Sequence, residues 1–349
     1  MLKQKIIFFS MKNYEIPFFE YTNKEFNYEM KYLDFGLSEE TANSSKGYDV
    51  VCLMVNNLLS KTIIDIFQQN EIKLITLRSA GYNNVDLKHI WGKIHVARVP
   101  AYSPNSVAEH AVTLMLALNR KVHKAYNRTR ENNFSIDGLM GFDMFQKTAG
   151  IVGAGRIAKV LINILKGFGM NILVYDKIQD KEYAKKMDIK YVDLKTLYKD
   201  SDIISLHCPL TPETVHIINK EAISLMKDHV IIVNTGRGQL IDSKALIEGL
   251  KNAKIAAAGL DVYEEEEHYF FEDLSNSFID DDVLARLLSF PNVIVTAHQA
   301  FFTKEALKNI ADVTLQNVNE FFTRKTLVNE ICYQCESATC HKTKETMCF

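Results

Sequence analysis

The sequence predicts an α/β protein made of two doubly wound parallel-sheet domains, one inserted into the other. Short apolar runs alternate with amphipathic stretches along most of the 349 residues, which is the pattern of βαβ units and a parallel sheet. A glycine-rich stretch between a strand pattern and a helix pattern lies near the middle of the chain, at residues 148–158. This central position predicts that the domain carrying it is the inserted one.

The outer domain is expected to be flavodoxin-like and to comprise residues 1–103 and 300–334. Helix patterns cover residues 60–69 and 303–321, where apolar residues recur at helical spacing. Short apolar runs predict its strands, at residues 6–10, 50–55, 74–77 and 95–98.

The inserted domain is expected to be Rossmann-type and to comprise residues 104–299. A long helix pattern begins at Ser106, and alternating strand and helix patterns follow a polar loop. Six strands with helices between them match a doubly wound dinucleotide-binding fold. We predict these strands at residues 148–152, 171–175, 203–206, 230–234, 256–262 and 293–296. Residues 335–349 are small and polar, and are expected to form a disordered tail.

The bulk composition excludes several classes of function. Charged residues make up 24% of the chain and the formal net charge is −2, so the basic excess of a nucleic-acid-binding protein is absent. The apolar run near the amino terminus is too short for a signal peptide, and no run is long enough to span a bilayer. We therefore expect a cytoplasmic protein with reduced cysteines and with no membrane or nucleic-acid partner.

Four of the six cysteines lie close to the carboxyl terminus. Their arrangement is similar to a small zinc-binding knuckle, but the spacing does not fit a standard structural zinc pattern. We expect incidental thiols and no metal at this cluster, which consists of Cys332, Cys335, Cys340, His341 and Cys348.

The strongest local signal is the pattern Gly153-x-Gly155-x-x-Ala158 between a predicted strand and a predicted helix. The first glycine allows a tight turn, the second lets the backbone approach a pyrophosphate, and the alanine lets the helix pack on the strand. Alone, such a pattern is weak evidence, because many chance matches are ordinary turns. The N–H groups expected to bind the phosphates are those that begin the helix, in the segment Ala154, Gly155, Arg156 and Ile157.

Asp176 strengthens the prediction of a dinucleotide site. It follows the next predicted strand, at the distance from the glycines expected of the acid that binds the ribose. A carboxylate there accepts hydrogen bonds from the ribose hydroxyls and repels a 2′-phosphate, which favours NAD over NADP. The alternative is a carboxylate that only caps a loop.

Three complementary groups follow strands of the same predicted sheet. Arg237 follows one strand, carboxylates at residues 261–267 follow the next, and His298 follows the last. The carboxyl ends of parallel strands hold the ligands of open α/β sheets. A guanidinium there can bind a carboxylate, and a histidine paired with a carboxylate can donate a proton. Either residue alone would more often be structural, but three complementary groups at the same edge as the glycine-rich loop favour a functional site.

Several further stretches are distinctive, at residues 77–86, 98–104, 206–213, 270–273 and 298–301. On these stretches the chain resembles the D-2-hydroxyacid dehydrogenase family over roughly residues 3 to 332. Within that family it is most similar to the fermentative D-lactate dehydrogenases. The resemblance implies an NAD-dependent enzyme that forms a homodimer or a homotetramer and acts on a small 2-keto or 2-hydroxy acid.

The resemblance also implies a role for each residue of the site. Arg237 would bind the substrate carboxylate, His298 would protonate the carbonyl oxygen, and Glu266 would pair with His298. Asp261 would help to position the nicotinamide, whereas His207 matches a position near the cofactor and not the proton donor. Further cofactor contacts are implied for Cys208, Pro209, Thr235 and Gly236. Substrate contacts are implied for the N–H groups of Ala80 and Gly81 and for the side chains of Tyr102 and Phe301.

The implied reaction is the reversible reduction of pyruvate to D-lactate with NADH. An enzyme for a larger D-2-hydroxy acid is the alternative within the family. An NAD-sensing binding protein of the corepressor type would share the same motifs, and an assay with pyruvate and NADH separates it from an enzyme.

Overall fold

The computed structural model describes residues 3–324, 326–334 and 347–348. The chain divides into two compact units, residues 1–103 with 302–349 and residues 104–301, so the second unit is inserted into the first along the chain. Each unit contains one parallel sheet, which confirms the predicted fold class. The predicted disordered tail, residues 335–349, lies outside the described residues except for residues 347 and 348.

The sheet of the first unit has five parallel strands: β1 (Lys5–Phe8), β2 (Glu29–Tyr32), β3 (Val50–Leu53), β4 (Leu74–Leu77) and β5 (His95–Arg98). Their order, β2-β1-β3-β4-β5, is that of flavodoxin-like folds. The bounds of β4 and β5 are the predicted ones. The sequence does not predict β2, because this edge strand is partly exposed and its residues do not form an apolar run.

The sheet of the second unit has seven parallel strands instead of the predicted six. They are β6 (Thr148–Val152), β7 (Asn171–Tyr175), β8 (Lys190–Tyr191), β9 (Ile203–Leu206), β10 (Val230–Asn234), β11 (Ile255–Leu260) and β12 (Val293–Val295). The order β8-β7-β6-β9-β10-β11-β12 reverses direction at β6, which is where doubly wound sheets bind dinucleotides. The additional strand, β8, has only two residues and lies at the sheet edge.

Helices connect the strands, as βαβ units require. They are α1 (Ile16–Asn23), α2 (Lys61–Gln69), α3 (Leu87–Ile90), α4 (Pro104–Arg120), α5 (Val122–Arg130), α6 (Arg156–Gly167), α7 (Lys181–Met187), α8 (Leu194–Asp200), α9 (Lys220–Leu225), α10 (Ser243–Lys251), α11 (Asp282–Ser289) and α12 (Lys304–Asn319). The predicted starting points of two helices are explained by side-chain caps, since Ser60 caps the first turn of α2 and Thr303 caps that of α12. Helix α4 begins at Pro104, two residues before the predicted start, because proline suits the first turn of a helix. Within the described residues, none of these helices is long and apolar enough to cross a membrane.

Helix α4 packs closely on the sheet of the second unit. A Cβ at Gly259, in β11, would lie 3.0 Å from Cβ of Leu114, so the absence of a side chain lets the helix approach the strand. Ala108, Ala111 and Met115 are fully buried on the same helix and form part of the core around β6. This packing fixes α4 behind the carboxyl ends of β11 and β12, where the predicted catalytic groups lie.

Candidate active site

The glycine-rich loop follows β6 and leads into α6. Gly153 has a φ of +98°, and a Cβ on it would lie 2.6 Å from the backbone N of Cys208. Glycine is required there, because a side chain would both clash and be strained. Gly155 differs, because no described atom lies within 4 Å of the position that its Cβ would take. The loop therefore leaves open space at the start of α6.

The first turn of α6 has unpaired hydrogen-bond donors. The N–H groups of Arg156 and Ile157 donate no hydrogen bond within the described residues, and no side chain caps the helix at Gly155. Free N–H groups and the positive end of the helix dipole together favour phosphate binding. The open space at Gly155 and these donors fit the pyrophosphate of a dinucleotide.

Asp176 follows β7 and lies beside the glycine-rich loop. Its Oδ2 accepts the N–H of Ala154 at 2.6 Å, and its Oδ1 accepts the N–H of Ile178 at 2.8 Å. Each carboxylate oxygen retains a lone pair, so ribose hydroxyls can still donate hydrogen bonds to it. The position suits the predicted ribose contact, which itself stays a prediction.

Polar groups after β9 and β10 surround the same loop. The hydroxyl oxygen of Thr235 is buried and has no hydrogen-bond partner among the described residues, so it can bond to a bound cofactor. Nε2 of His207 lies 2.8 Å from Oγ of Ser205, and burial lowers the pKa of His207 to about 4. Burial also raises the pKa of the Cys208 thiol to about 11. Both side chains are therefore neutral at pH 7, and the exposed Pro209 follows them.

Arg237 lies in the loop after β10, and Asn234 at the end of that strand holds the loop. Nδ2 of Asn234 donates to the carbonyl of Arg237 at 2.8 Å, and its Oδ1 accepts the N–H of Gly236 at 3.0 Å. The Arg237 guanidinium donates to the carbonyl of Gly236 at 2.7 Å but forms no ion pair within the described part of the chain. Its charge is therefore available to an anionic ligand.

Gly238 brings the Arg237 loop against the loop that follows β11. A Cβ on Gly238 would lie 2.0 Å from the carbonyl carbon of Tyr263 and 2.4 Å from the N of Glu264, so no other residue fits without displacing a loop. Strands β10 and β12 flank β11, which places their ends about 10 Å apart. The ends of these three strands thus form one continuous edge.

One of the four consecutive glutamates contacts His298. Oε1 of Glu266 lies 2.7 Å from Nδ1 of His298, and the two side chains are 19% and 16% exposed. Because a carboxylate can only accept, Nδ1 carries the proton of this bond, and Nε2 is left for a ligand. Glu264 is used differently, since its two oxygens bond to Nε2 of His216 and to the N–H of Ser243.

Asp261, directly after β11, anchors the segment that carries His298. Its carboxylate is fully buried and accepts the N–H groups of Gln299 and Ala300 at 2.9 and 2.8 Å. Its backbone carbonyl accepts the N–H of His298 at 2.8 Å. These bonds hold His298 at a φ of +50°, which few residues other than glycine adopt. The predicted contact of Asp261 with the nicotinamide stays a prediction.

An aromatic ring that the sequence did not single out lies beside His298. The ring centroids of Phe271 and His298 are 6.0 Å apart, with an angle of 33° between the ring planes. Phe271 has a φ of +71°, which is unusual for a bulky residue and indicates that the surrounding loop fixes it. Its stretch contributes to the family resemblance, but no sequence signal shows that the ring contacts the imidazole.

Several known proteins have sequences similar to this chain. The family described as D-isomer specific 2-hydroxyacid dehydrogenase, NAD binding domain, matches residues 112–300. The D-lactate dehydrogenase of Escherichia coli strain K12 is 48% identical over 330 residues, which cover 94% of this chain and 99% of that protein. The chain belongs to the D-isomer specific 2-hydroxyacid dehydrogenase family.

Two solved structures show the same fold in related dehydrogenases. The apo-structure of D-lactate dehydrogenase from Escherichia coli has a TM-score of 0.86 at 45% identity, covering 94% of this chain and all of that one. The structure reported for the pyruvate reductase of Chlamydomonas reinhardtii has a TM-score of 0.86 at 41% identity, covering 91% of this chain and 96% of that one. The chain is therefore an oxidoreductase of this family, and NAD is its cofactor.

The first unit of this dehydrogenase has two free donors at the end of β4. The N–H groups of Ala80 and Gly81 donate no hydrogen bond within the described residues. Their carbonyls, by contrast, accept Nη1 of Arg98 at 2.6 Å and Oγ of Ser79 at 2.8 Å. Because the carbonyls are fixed, the two adjacent N–H groups are preorganised to bind an anion such as a carboxylate.

The remaining predicted substrate contacts, Tyr102 and Phe301, lie in the first and the second unit respectively. The carbonyl of Tyr102 accepts Nδ2 of Asn309 at 2.6 Å, and Phe301 is buried. Their contacts with substrate stay predictions.

Within the described residues, no three His, Cys, Asp or Glu side chains converge as a metal site requires. Of the predicted tail cluster, Cys335, Cys340 and His341 lie outside the described residues.

Proposed function

We propose that this dehydrogenase reduces pyruvate to D-lactate with NADH. The observation that carries the proposal is the hydrogen-bonded pair of His298 and Glu266, on the same sheet edge as the unpaired guanidinium of Arg237. A 2-keto acid needs a cation for its carboxylate and an acid for its carbonyl oxygen, and these residues supply both. The relatives named D-lactate dehydrogenase and pyruvate reductase support pyruvate as the substrate.

In this mechanism Arg237 binds the substrate carboxylate and polarises the adjacent carbonyl. His298 donates a proton from Nε2 to the carbonyl oxygen as negative charge develops there, and it takes the hydroxyl proton in the reverse direction. Glu266 accepts from Nδ1 of His298, which orients the ring and leaves Nε2 for the substrate. NADH, when bound, supplies the hydride.

The cofactor would lie on the glycine-rich loop. We propose that the N–H groups of Arg156 and Ile157 bind its pyrophosphate and that Asp176 binds the ribose hydroxyls. The negative charge of Asp176 disfavours a 2′-phosphate, so the enzyme prefers NADH to NADPH. Further contacts are proposed for Ala154, Cys208, Pro209, Thr235, Gly236 and Asp261.

The first unit is proposed to contribute to substrate binding. The free N–H groups of Ala80 and Gly81 suit a carboxylate, and Tyr102 supplies an aromatic side chain. Phe301 and the Phe271 ring beside His298 add bulk on the second unit. Of these rings, Phe271 lies beside His298, and its bulk there favours a small keto acid over a branched one.

A steady-state assay over a panel of 2-keto acids tests the proposal. We expect the highest kcat/KM for pyruvate with NADH, and a product that an enantiospecific assay identifies as D-lactate. A higher kcat/KM for 2-ketoisocaproate or 2-ketoglutarate would instead assign the enzyme to a larger D-2-hydroxy acid. Tight NADH binding without turnover of any keto acid would support the corepressor-type alternative.

We also propose that the enzyme is a homodimer or a homotetramer. Apolar side chains are largely exposed on α5 and in the loop after it, among them Tyr126, Phe134, Ile136 and Met140. Several large apolar side chains exposed within one short segment suit an interface, and a second copy of the chain would cover them. Light scattering should give the mass of two or four chains of 39.9 kDa, and a monomeric mass would contradict the proposal.

The cytoplasmic location stays a prediction from the sequence.

A further inference from the structure

A second histidine of the NAD-binding unit contacts the segment that carries His298. His110 lies on α4, and its Nε2 is 3.1 Å from Oγ1 of Thr296 and 3.3 Å from Oδ1 of Asp261. Its side chain is mostly buried, and the carboxylate that it faces is completely buried. His110 belongs to none of the sequence motifs, and the mechanism above does not use it.

The hydrogen bonds around Thr296 determine which nitrogen of His110 carries a proton. Oγ1 of Thr296 donates its single proton to Oδ1 of Asp261 at 2.5 Å, because a carboxylate can only accept. The Thr296 oxygen can therefore only accept from His110. It follows that Nε2 of His110 is protonated and donates to the Thr296 hydroxyl oxygen, and the Asp261 carboxylate lies close by, at 3.3 Å.

The buried carboxylate of Asp261 is held by three donors. These are the Thr296 hydroxyl and the N–H groups of Gln299 and Ala300, and all belong to the segment that carries His298. A buried carboxylate is stable only where donors satisfy it, so it fixes the path of this segment. His110 comes from a different element, and its bond to Thr296 ties the arrangement to α4.

We infer that His110 is a positioning residue for the reaction, acting through Thr296 and Asp261 to hold His298 at the substrate carbonyl. The inference rests on the proposed role of His298 as proton donor. His110 itself need not touch the substrate. Its effect is geometric, because a proton donor must lie within hydrogen-bond distance of its acceptor, and a displacement of about 1 Å can cost ~100-fold in rate.

Two substitutions at position 110 test the inference. His110→Leu keeps the bulk but removes the donor to Thr296, and we expect kcat for pyruvate reduction to fall by about tenfold, as for one buried hydrogen-bonding group left without its partner. The dissociation constant for NADH, measured by fluorescence titration, should stay unchanged. The isotope effect with NADH deuterated at C4 should rise, because the chemical step becomes slower. His110→Gln places an amide donor near the position of Nε2 and should recover most of the rate.

A matched control lies one turn further along the same helix. Thr113 bonds only to the carbonyl of Glu109 within α4, so Thr113→Val should keep the wild-type kinetics. Equal kcat in His110→Leu and wild type would overturn the inference. It would also be overturned if His110→Gln were as slow as His110→Leu, or if kcat fell only in proportion to the loss of folded protein or of NADH binding.

If His110→Leu does not fold, Thr296 decides the question. Thr296→Val removes the hydroxyl that joins His110 to Asp261, whereas Thr296→Ser keeps it. We expect a low kcat for the valine variant and a nearly normal one for the serine variant, and equal rates would overturn the inference. Wild-type activity is measured first. A wild type that reduces no 2-keto acid would overturn the proposed function, and the inference would then fall with it. If the wild type is active, the variants test the inference alone.

Discussion

Two histidines follow strands of the same sheet but differ in their surroundings. His207 follows β9, bonds to the Ser205 hydroxyl and has a pKa lowered to about 4 by burial. His298 follows β12, bonds to the Glu266 carboxylate and remains partly exposed. Both occupy the sheet edge that binds ligands in open α/β folds.

The difference shows that a position at the end of a strand is not enough to make a histidine a proton donor, and that its hydrogen-bond partner matters. At neutral pH His207 is neutral and has no carboxylate partner among the described residues, so it can support the glycine-rich loop but cannot supply a proton. His298 has a carboxylate on Nδ1, and its Nε2 has no partner within the described part of the chain, which is the arrangement that a general acid needs. Substitutions at and around the two residues test this contrast.

The largest effect is expected at His298. His298→Gln removes the proposed proton donor, so kcat for pyruvate reduction should fall by about 1,000-fold, within the usual range for general acid catalysis. Fluorescence titration should show unchanged NADH affinity. His229→Asn, at an exposed position before β10, is the control and should behave as wild type. If kcat fell less for His298→Gln than for His207→Gln, the roles assigned to the two histidines would be reversed.

Removal of the partner charge should have a smaller effect. Glu266→Gln keeps an acceptor for Nδ1 but replaces a hydrogen bond to a charged group with a weaker neutral one, so His298 is held less firmly. We expect kcat for pyruvate reduction to fall by about 10- to 100-fold. Glu265→Gln, whose side chain is exposed, should leave kcat unaltered. A fall in kcat with Glu264→Gln or Glu265→Gln, but none with Glu266→Gln, would mean that the assignment is out of register.

Asp176, which follows strand β7, should affect the choice of cofactor and not proton transfer. Asp176→Ala removes the charge proposed to repel a 2′-phosphate, so the ratio of kcat/KM for NADH to that for NADPH should narrow by about tenfold or more. The kcat with NADH should change little, in contrast to Glu266→Gln. Equal use of both cofactors by the wild type would refute the role given to Asp176.

The smallest effect on turnover is expected at His207, where the change should appear in stability. Its pKa is lowered in the folded state, so neutral His207 contributes to stability above about pH 6.5, and this contribution is lost as the pH falls toward 4. The loss is at most about 3 kcal/mol. Urea unfolding at pH 7.5 and 4.5 should show a smaller acid-induced loss for His207→Gln than for wild type. Parallel losses in the two proteins would contradict the comparison.

Much of the fold could be predicted because buried parallel strands form short apolar runs. The bounds of β4 to β7, β9 and β10 follow directly from such runs. The two missed strands, β2 and β8, lie at sheet edges, where exposed and charged residues interrupt the pattern. Edge strands are held mainly by backbone hydrogen bonds. Because residues of almost any type can form these bonds, the side chains of an edge strand need not follow an apolar pattern.

The site was only partly predictable for a similar reason. Arg237 and His298 could be found because they follow strands, and the choice of Glu266 among four glutamates depended on the family resemblance. His110, Thr296 and Phe271 carry no comparable signal. Their roles come from contacts between elements far apart in sequence, such as the bond from α4 to the end of β12.

The backbone contact at Gly238 limits how this enzyme can be redesigned. Because the Arg237 loop touches the backbone at Tyr263 and Glu264 with no room for a single methyl group, an insertion in one loop shifts the other. Libraries that randomise the Arg237 loop alone are therefore expected to displace the loop that leads to Glu266, and with it the proposed proton donor, so most of their members should be inactive. Productive changes of substrate range at this edge require both loops to be exchanged together, as one cassette.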